Sequence, residues 1–351
     1  MRKISCLILL CTTFAWPAPA EVVAYPAPSG TASAELVIYS TLDTRMAAPL
    51  ILAFQSTHPD LAVRYEDLLA GEISARVIAE TRAGTPTADF VFSSAMDMQI
   101  KLANDGYAQP VDVSQARNWP EWANWQDTAF ALTFEPAVLV YHKPSFPDGP
   151  PQSRLELMEW LRRLPAGMAG RIGTYDIEQS AVGYLFLARD AEHFPDIWSL
   201  LRTMAAAGLQ TFSTSQEIID RVADGRLALG YNILGSYAAD QARNAPDLGL
   251  VLLRDFTVVI PRVALVPRAA ASPELGRAFL AHLMSKDGQS LLSETLRLPA
   301  VSLEVSGARN ALSLQGAPLR VISVSPGVLV YLDQAKRRRL IRLWRSALAQ
   351  E

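Results

Sequence analysis

Hydroxyl and amide side chains recur in this chain wherever an apolar run gives way to a helical spacing. Tyr39-Ser40-Thr41 is the first instance and Phe92-Ser93-Ser94 the second. Thr174-Tyr175 leading to Ser180, Phe212-Ser213-Thr214-Ser215 and Tyr231-Asn232-Ile233-Leu234-Gly235-Ser236-Tyr237 follow. A single Ser, Thr or Asn at such a junction needs no function, because its side-chain oxygen caps otherwise unpaired helix amides. Five junctions together offer more. Helix N-termini present free N–H groups and the positive end of a dipole, which suit a carboxylate or a phosphate. Arg262, directly after Pro261, can add one full positive charge and charge-assisted hydrogen bonds. The candidate ligand-binding set is Ser40, Thr41, Ser93, Ser94, Thr174, Tyr175, Tyr231, Asn232 and Arg262. Its chemistry is recognition of a small organic anion, with no cofactor and no metal. Arg45, within the first helical segment, and Arg171, before a strand, read as structural.

The elements that must position these groups repeat one grammar. Leu36-Val37-Ile38-Tyr39 reads as a buried strand, Met46 to Thr57 as a helix ended by His58-Pro59-Asp60, and Leu61 to Tyr65 as an alternating strand. A helix over Ile73 to Thr81 and a strand over Ala88 to Phe92 complete a parallel unit with right-handed crossovers. A second unit begins near Arg171 and runs to Tyr231. Two long apolar segments, Phe134 to Tyr141 and Phe256 to Val266, connect the units. The expected fold class is α/β: two lobes, each a mostly parallel sheet flanked by helices, joined by two hinge strands that permit closure on a cleft. Ligands of open parallel sheets lie outside the carboxyl ends of the strands, where the polar junctions fall.

The first twenty residues explain themselves as a cleaved signal peptide. Arg2 and Lys3 precede an apolar stretch from Ile4 to Trp16, and Ala18-Pro19-Ala20 supplies a small-residue cleavage site. The apolar stretch is short against the roughly 20 residues a membrane span needs. Both cysteines, Cys6 and Cys11, fall in it, and Leu10 before Cys11 argues against lipidation. Removing Arg2 and Lys3 subtracts two positive charges and takes the net charge from −3 to −5. A mildly acidic, exported, soluble protein that is not membrane-embedded is expected, with no nucleic-acid partner. The expected division is a signal peptide at 1–20 and a flexible, Ala/Pro/Ser/Gly-rich leader at 21–34. The first lobe takes 35–135 with 258–305, the second takes 136–257, and a C-terminal segment at 306–351 packs a helix on the lobes.

Three stretches, AFQSTHPDLAVRYEDL, ADFVFSSAMDMQIKLANDGYAQPVD and PELGRAFLAHLMSKDGQSLLSE, resemble the extracellular solute-binding proteins of bacterial ABC transporters. The resemblance spans Glu35 to about Pro299 and is nearest the branch of ferric-iron, phosphonate and phosphosugar binders, which includes the phosphoglycerate-transport regulatory protein. It implies a type II venus-flytrap fold in the periplasm, no enzymatic activity, and delivery of a captured solute to an ABC permease. A regulatory subunit that reports ligand occupancy to a membrane histidine kinase would use the same fold. The iron binders of this branch coordinate metal through two consecutive tyrosines near the Tyr231 position, helped by a histidine and an acid. Here Asn232 follows Tyr231, and the first loop reads Thr41-Leu42-Asp43, so an organic anion is the better expectation than iron.

Catalytic patterns are missing from the sequence. His58, His142, His193 and His282 stand apart, and no H-E-x-x-H, G-x-S-x-G or G-x-x-x-x-G-K-[ST] occurs. A secreted hydrolase would need a Ser-His-Asp site assembled from distant positions. In the tail, Leu332, Ala335, Leu340, Leu343, Ala347 and Leu348 approximate one apolar helical face. Lys336, Arg337, Arg338, Arg342 and Arg345 then form a solvated basic face, or a contact surface for a permease or sensor. Trp119, Trp122 and Trp125 read as packing residues in preference to a cleft lid.

Overall fold

The apolar runs become the strands of two sheets in the computed structural model, which describes residues 21–113, 119–296, 300–302, 305 and 318–349. The expected signal peptide and residues 306–317 of the C-terminal segment lie outside the described residues. The first lobe opens with β1 (Glu21–Tyr25), β2 (Ala34–Ser40), α1 (Thr44–Thr57), β3 (Leu61–Asp67) and α2 (Ala70–Ala83). It continues through β4 (Phe90–Ser93), α3 (Met96–Asn104), β5 (Asn124–Trp125) and β6 (Ala129–Ala131). The second lobe holds β7 (Glu135–His142), α4 (Arg154–Arg162), β8 (Ile172–Tyr175), α5 (Ala181–His193), α6 (Ile197–Ala206) and β9 (Gln210–Phe212). α7 (Ser215–Ala223), β10 (Leu229–Leu234), α8 (Gly235–Gln241), β11 (Leu248–Val251) and β12 (Thr257–Ile260) complete it. The chain returns to the first lobe with β13 (Val263–Leu265), α9 (Pro273–Met284) and α10 (Lys286–Leu296). It ends with β14 (Leu319–Val321), a short 3-10 helix (Pro326–Leu332) and α11 (Gln334–Leu348).

The first sheet runs β1-β3-β2-β4-β13-β6-β5, the second β14-β12-β7-β10-β8-β9 with β11 also on β7. β2 lies parallel to both β3 and β4, and β8 parallel to both β9 and β10. Leu36, Val37, Ile38 and Tyr39 are all buried. Successive strand residues point to opposite faces, so both faces of β2 are covered, and this is why its sequence is uninterruptedly apolar. In the second lobe α7 lies directly on the sheet. A Cβ on Gly230 would stand 2.6 Å from Ile218 of α7, and one on Gly173 2.7 Å from Leu227 just beyond that helix, so glycine at both positions lets the layer come this close. The fold is the expected α/β one, two sheets flanked by helices, but the sheets are mixed where mostly parallel ones were expected. β1, β13, β6 and β5 join the first by antiparallel pairing, and β7 pairs antiparallel with β10, β11 and β12 in the second.

Four local expectations change. Residues 21–25 are not a flexible leader: β1 pairs antiparallel with β3 from Glu21 opposite Asp67 to Tyr25 opposite Val63. β3 would otherwise offer an open edge, and Ser29 and Ser33 amides continue the docking onto Pro59 and Asp60 carbonyls. The boundary at 257/258 moves, because all of β12 belongs to the second sheet and the crossing falls at Pro261-Arg262. On α11, Trp344 and Ala347 are the buried residues, whereas Leu343 is 38% exposed. Finally, the C-terminal segment crosses between the lobes as well. β14 pairs with β12, the Val324 amide donates to the Trp122 carbonyl at 2.8 Å, the 3-10 helix packs on α3, and α11 packs back on α6. Trp122 meets Phe134 edge-on at 5.9 Å, and Trp119 donates to the Ala123 carbonyl, so both pack the first lobe. Among the described residues no helix is long and apolar enough to cross a membrane.

Candidate functional site

The loops after β2, β3 and β4 face those after β8, β9 and β10 across a cavity of about 660 Å³. Both lobes therefore contribute the carboxyl ends of their strands to one space, as open α/β sheets do. Thr41 and Ser94 stand on the first wall, Tyr175 on the second, and Arg262 at the base between them. Thr41 organises its wall: its Oγ1 accepts from the Ser94 amide at 3.2 Å and from Arg262 Nη1 at 3.1 Å. The Tyr175 hydroxyl shares a 2.5 Å hydrogen bond with Ser215 Oγ and accepts from the Leu234 amide. Burial pushes that phenol up to about 12, so it stays a neutral donor or acceptor.

The remaining sequence candidates sit elsewhere. Ser40 and Ser93 are fully buried, their hydroxyls accepting from the Leu42 and Ala95 amides as turn and cap groups. Thr174 Oγ1 donates to the Tyr231 carbonyl at 3.0 Å. Tyr231 and Asn232 are turned away from the cavity, contrary to expectation. The Tyr231 hydroxyl donates to Asp190 at 2.6 Å and accepts from Arg154 Nε at 2.8 Å, while Asn232 Nδ2 donates to Asp190 at 2.6 Å. Arg154 itself pairs with Asp190 at 2.7 Å, both side chains almost wholly buried. A break in the β10–β7 register between Gly230 and Ile233, with Asn232 at φ 60°, rotates these side chains out of simple alternation.

Arg262 corrects a second expectation. It lines the cavity, but its side chain is 1% exposed and its Nε lies 2.9 Å from Glu135 Oε1, a charge contact without hydrogen-bond alignment. Glu135 is further held by Thr133 at 2.9 Å and Ser236 at 2.6 Å. The Arg262 amide donates to Thr133 Oγ1, and its carbonyl accepts from the Leu132 amide, so the two crossings are clasped side by side. Its charge serves the hinge first.

Several lining groups lie outside the candidate set, although Ser180, Thr214 and Ser215 fall within its junctions. Ser180 Oγ caps α5 by accepting from the Gly183 amide at 3.1 Å, and Thr214 caps α7 through the Glu217 amide. Ala181, Val182, Ser215 and Gln216 line the cavity at the first turns of these helices, where backbone amides have no intrahelical partner. Asp43 and Asp67 face them from the first lobe. Burial, then Asp43 and Glu21, push the Asp67 carboxyl up to about 7 against the pull of Arg262. Tyr237, from α8, donates to Asp43 Oδ1 at 2.9 Å, and Arg45 pairs with Asp240 at 2.7 Å, so the lobes touch beside the cavity. The lining also includes Arg337 of α11. Among the described residues the cavity is lined by no histidine or cysteine, and no group of three His, Cys, Asp or Glu is placed to hold a metal. The arrangement can hydrogen-bond and charge-match a small polar solute.

Comparison with known proteins gives the same answer at the level of family. The family model for bacterial extracellular solute-binding proteins matches residues 50–310. No curated protein matches the chain. The structure is similar to a substrate binding protein of the ABC transporter from Agrobacterium tumefaciens, with a TM-score of 0.89 and 56% identity over 95% of this chain and 100% of that one. At 16% identity it shares its fold with AfuA from Actinobacillus pleuropneumoniae, a periplasmic binding protein with fructose-6-phosphate bound (TM-score 0.72, 90% of this chain, 99% of that one). Iron-bound HitA from Pseudomonas aeruginosa, also 16% identical, has a TM-score of 0.69 over 90% of this chain and 99% of that one. The chain belongs to the bacterial extracellular solute-binding proteins.

Proposed function

We propose that this protein is the substrate-binding component of an ABC importer, exported to the periplasm behind a cleaved signal peptide, which captures a small organic anion and presents it to the permease. The observation that carries the reading is the convergence of helix starts from both lobes on one cavity, α3 from the first and α5 and α7 from the second. Each start carries partial positive charge and unpaired amides, which hold a phosphate, phosphonate or carboxylate. Thr41, Ser94 and Tyr175 add hydroxyls, and Asp43 and Asp67 suit hydroxyl groups on the rest of the ligand. The clasped crossings at 132–134 and 261–262 are the hinge about which the lobes close. The identity to the Agrobacterium substrate binding protein supports the transport role over a sensing one. The tyrosine on which an iron site would draw, Tyr231, is committed to Arg154 and Asp190.

Native mass spectrometry of gently purified protein should reveal a bound small anion. Adding that compound at 100 times its Kd should stabilise the fold by about 2.7 kcal/mol, and small-angle scattering should show a smaller radius of gyration. A co-purifying neutral sugar or metal ion, or stabilisation with unchanged scattering, would refute the anion or the closure part respectively.

A further inference from the structure

Two guanidinium groups border the cavity, and they are not equivalent. Arg262 is buried against Glu135 and bonded to Thr41, so its charge is already balanced. Arg337 has no carboxylate within ion-pair distance among the described residues. Its guanidinium carbon instead lies 4.5 Å from the centre of the Tyr184 ring, a cation resting on an aromatic face. Asp97 and Glu178 feel its charge, yet neither is close enough to pair with it. Tyr184 belongs to α5, the helix whose first turn, Ser180 to Val182, forms the adjoining cavity wall.

The helix that carries Arg337 is fixed with respect to that wall. Asp333 caps α11 by accepting from the Lys336 amide at 2.8 Å. Arg345 holds Glu178, in the loop leading into α5, through Nε at 2.8 Å and again through Nη2. Tyr331, just before α11, accepts from Arg189 at 3.0 Å and donates to Glu192 at 2.9 Å, both on α5. An arginine aimed at a cavity from an anchored helix, stacked but unpaired, is in the condition of a group awaiting an anion.

We propose that the C-terminal helix α11 is a third wall of the binding site, and that Arg337 supplies the cation that pairs with the ligand's anionic group seated at the start of α5. This deepens the anion reading and rests on it. The basic residues of α11 then divide: Arg345 anchors, Arg337 binds, and Arg338, exposed, does neither.

The test is calorimetry on the full mature chain with three probes, inorganic phosphate, phosphonoacetate and fructose 6-phosphate, and with fructose as a neutral control. Arg337→Ala should weaken the tightest anion by roughly 10- to 100-fold, the loss expected for a hydrogen bond to a charged group. Arg337→Lys should recover part of that loss, and Arg338→Ala should bind as the native protein does. Circular dichroism melts guard against misfolding, and Arg337 is half-buried with no core to empty. An anion that binds Arg337→Ala as tightly as the native chain overturns the proposal and leaves the anion reading standing. Binding of none of the three anions, or of fructose alone, overturns both.

Discussion

Tyr231→Phe separates a structural from a ligand-binding role for the residue the sequence placed in the cleft. The change deletes one oxygen that donates to Asp190 at 2.6 Å and accepts from Arg154 at 2.8 Å. Both partners are charged and buried, and a hydrogen bond to a charged group contributes about 1.5–3 kcal/mol. Asp190 keeps Arg154 and Asn232, and Arg154 keeps Asp255 at 3.0 Å, so the network survives and the loss belongs near the lower figure. A cost of about 2 kcal/mol corresponds to a melting temperature lower by roughly 4–8 °C in a domain of 150–250 residues. Urea unfolding followed by tryptophan fluorescence gives the free energy directly, and calorimetry with the co-purified ligand gives affinity. Stability should fall while affinity stays within a factor of two or so of native, since Tyr231 does not line the cavity. Unchanged stability with lost binding would show that the side chain faces the ligand and that the buried network is wrongly placed.

Arg262→Ala should behave differently from an ordinary ligand contact. It leaves Glu135 buried without its counter-charge, which costs about 3–5 kcal/mol of stability; a variant as stable as native that has merely lost affinity would dismiss the hinge clasp. Asp67 gives a pH test. Its folded pKa, about 7, lies above the ordinary carboxylate value, so the folded state holds the proton longer than the unfolded one. Its destabilising effect is therefore absent below about pH 4, accumulates from there to pH 7 and is constant above. Asp67→Asn should thus gain stability over the native chain as pH rises across that window; denaturation midpoints that run parallel at pH 4 and pH 8 would contradict the shift.

The sheets were legible because burial on both faces forces runs such as Leu36 to Tyr39, which cannot be mistaken for surface. The cavity's position was legible too, since polar residues at strand ends have a fixed place in a parallel sheet. Thr41, Ser94 and Tyr175 followed from that alone. What failed did so for specific reasons. β1 hides behind Pro26, Pro28 and Gly30, which dominate the composition of a segment whose first five residues form an edge strand. The strand was read to end at Tyr231, whereas β10 runs on to Leu234 through a register break, so Tyr231 and Asn232 lie within it and not in the loop after it. Glu135 and Arg262 meet from distant parts of the chain, and a counter-charge of that kind leaves no local trace. Arg337 lay in a basic run that reads as solvated until α11 is seen against α5.

The C-terminal segment also bears on time. Two clasped crossings leave the lobes a rotation about one axis, and opening about it could be nearly free. A segment that departs from β14, lies on α3 and returns to α6 cannot follow that rotation without sliding or lifting. Its buried Val328 makes lifting costly, since exposing such a side chain costs about 1.5–3 kcal/mol. That is roughly a 10- to 150-fold slower opening. On the proposed function, the strap acts as a brake on escape, and a captured solute dwells until the transporter works against it.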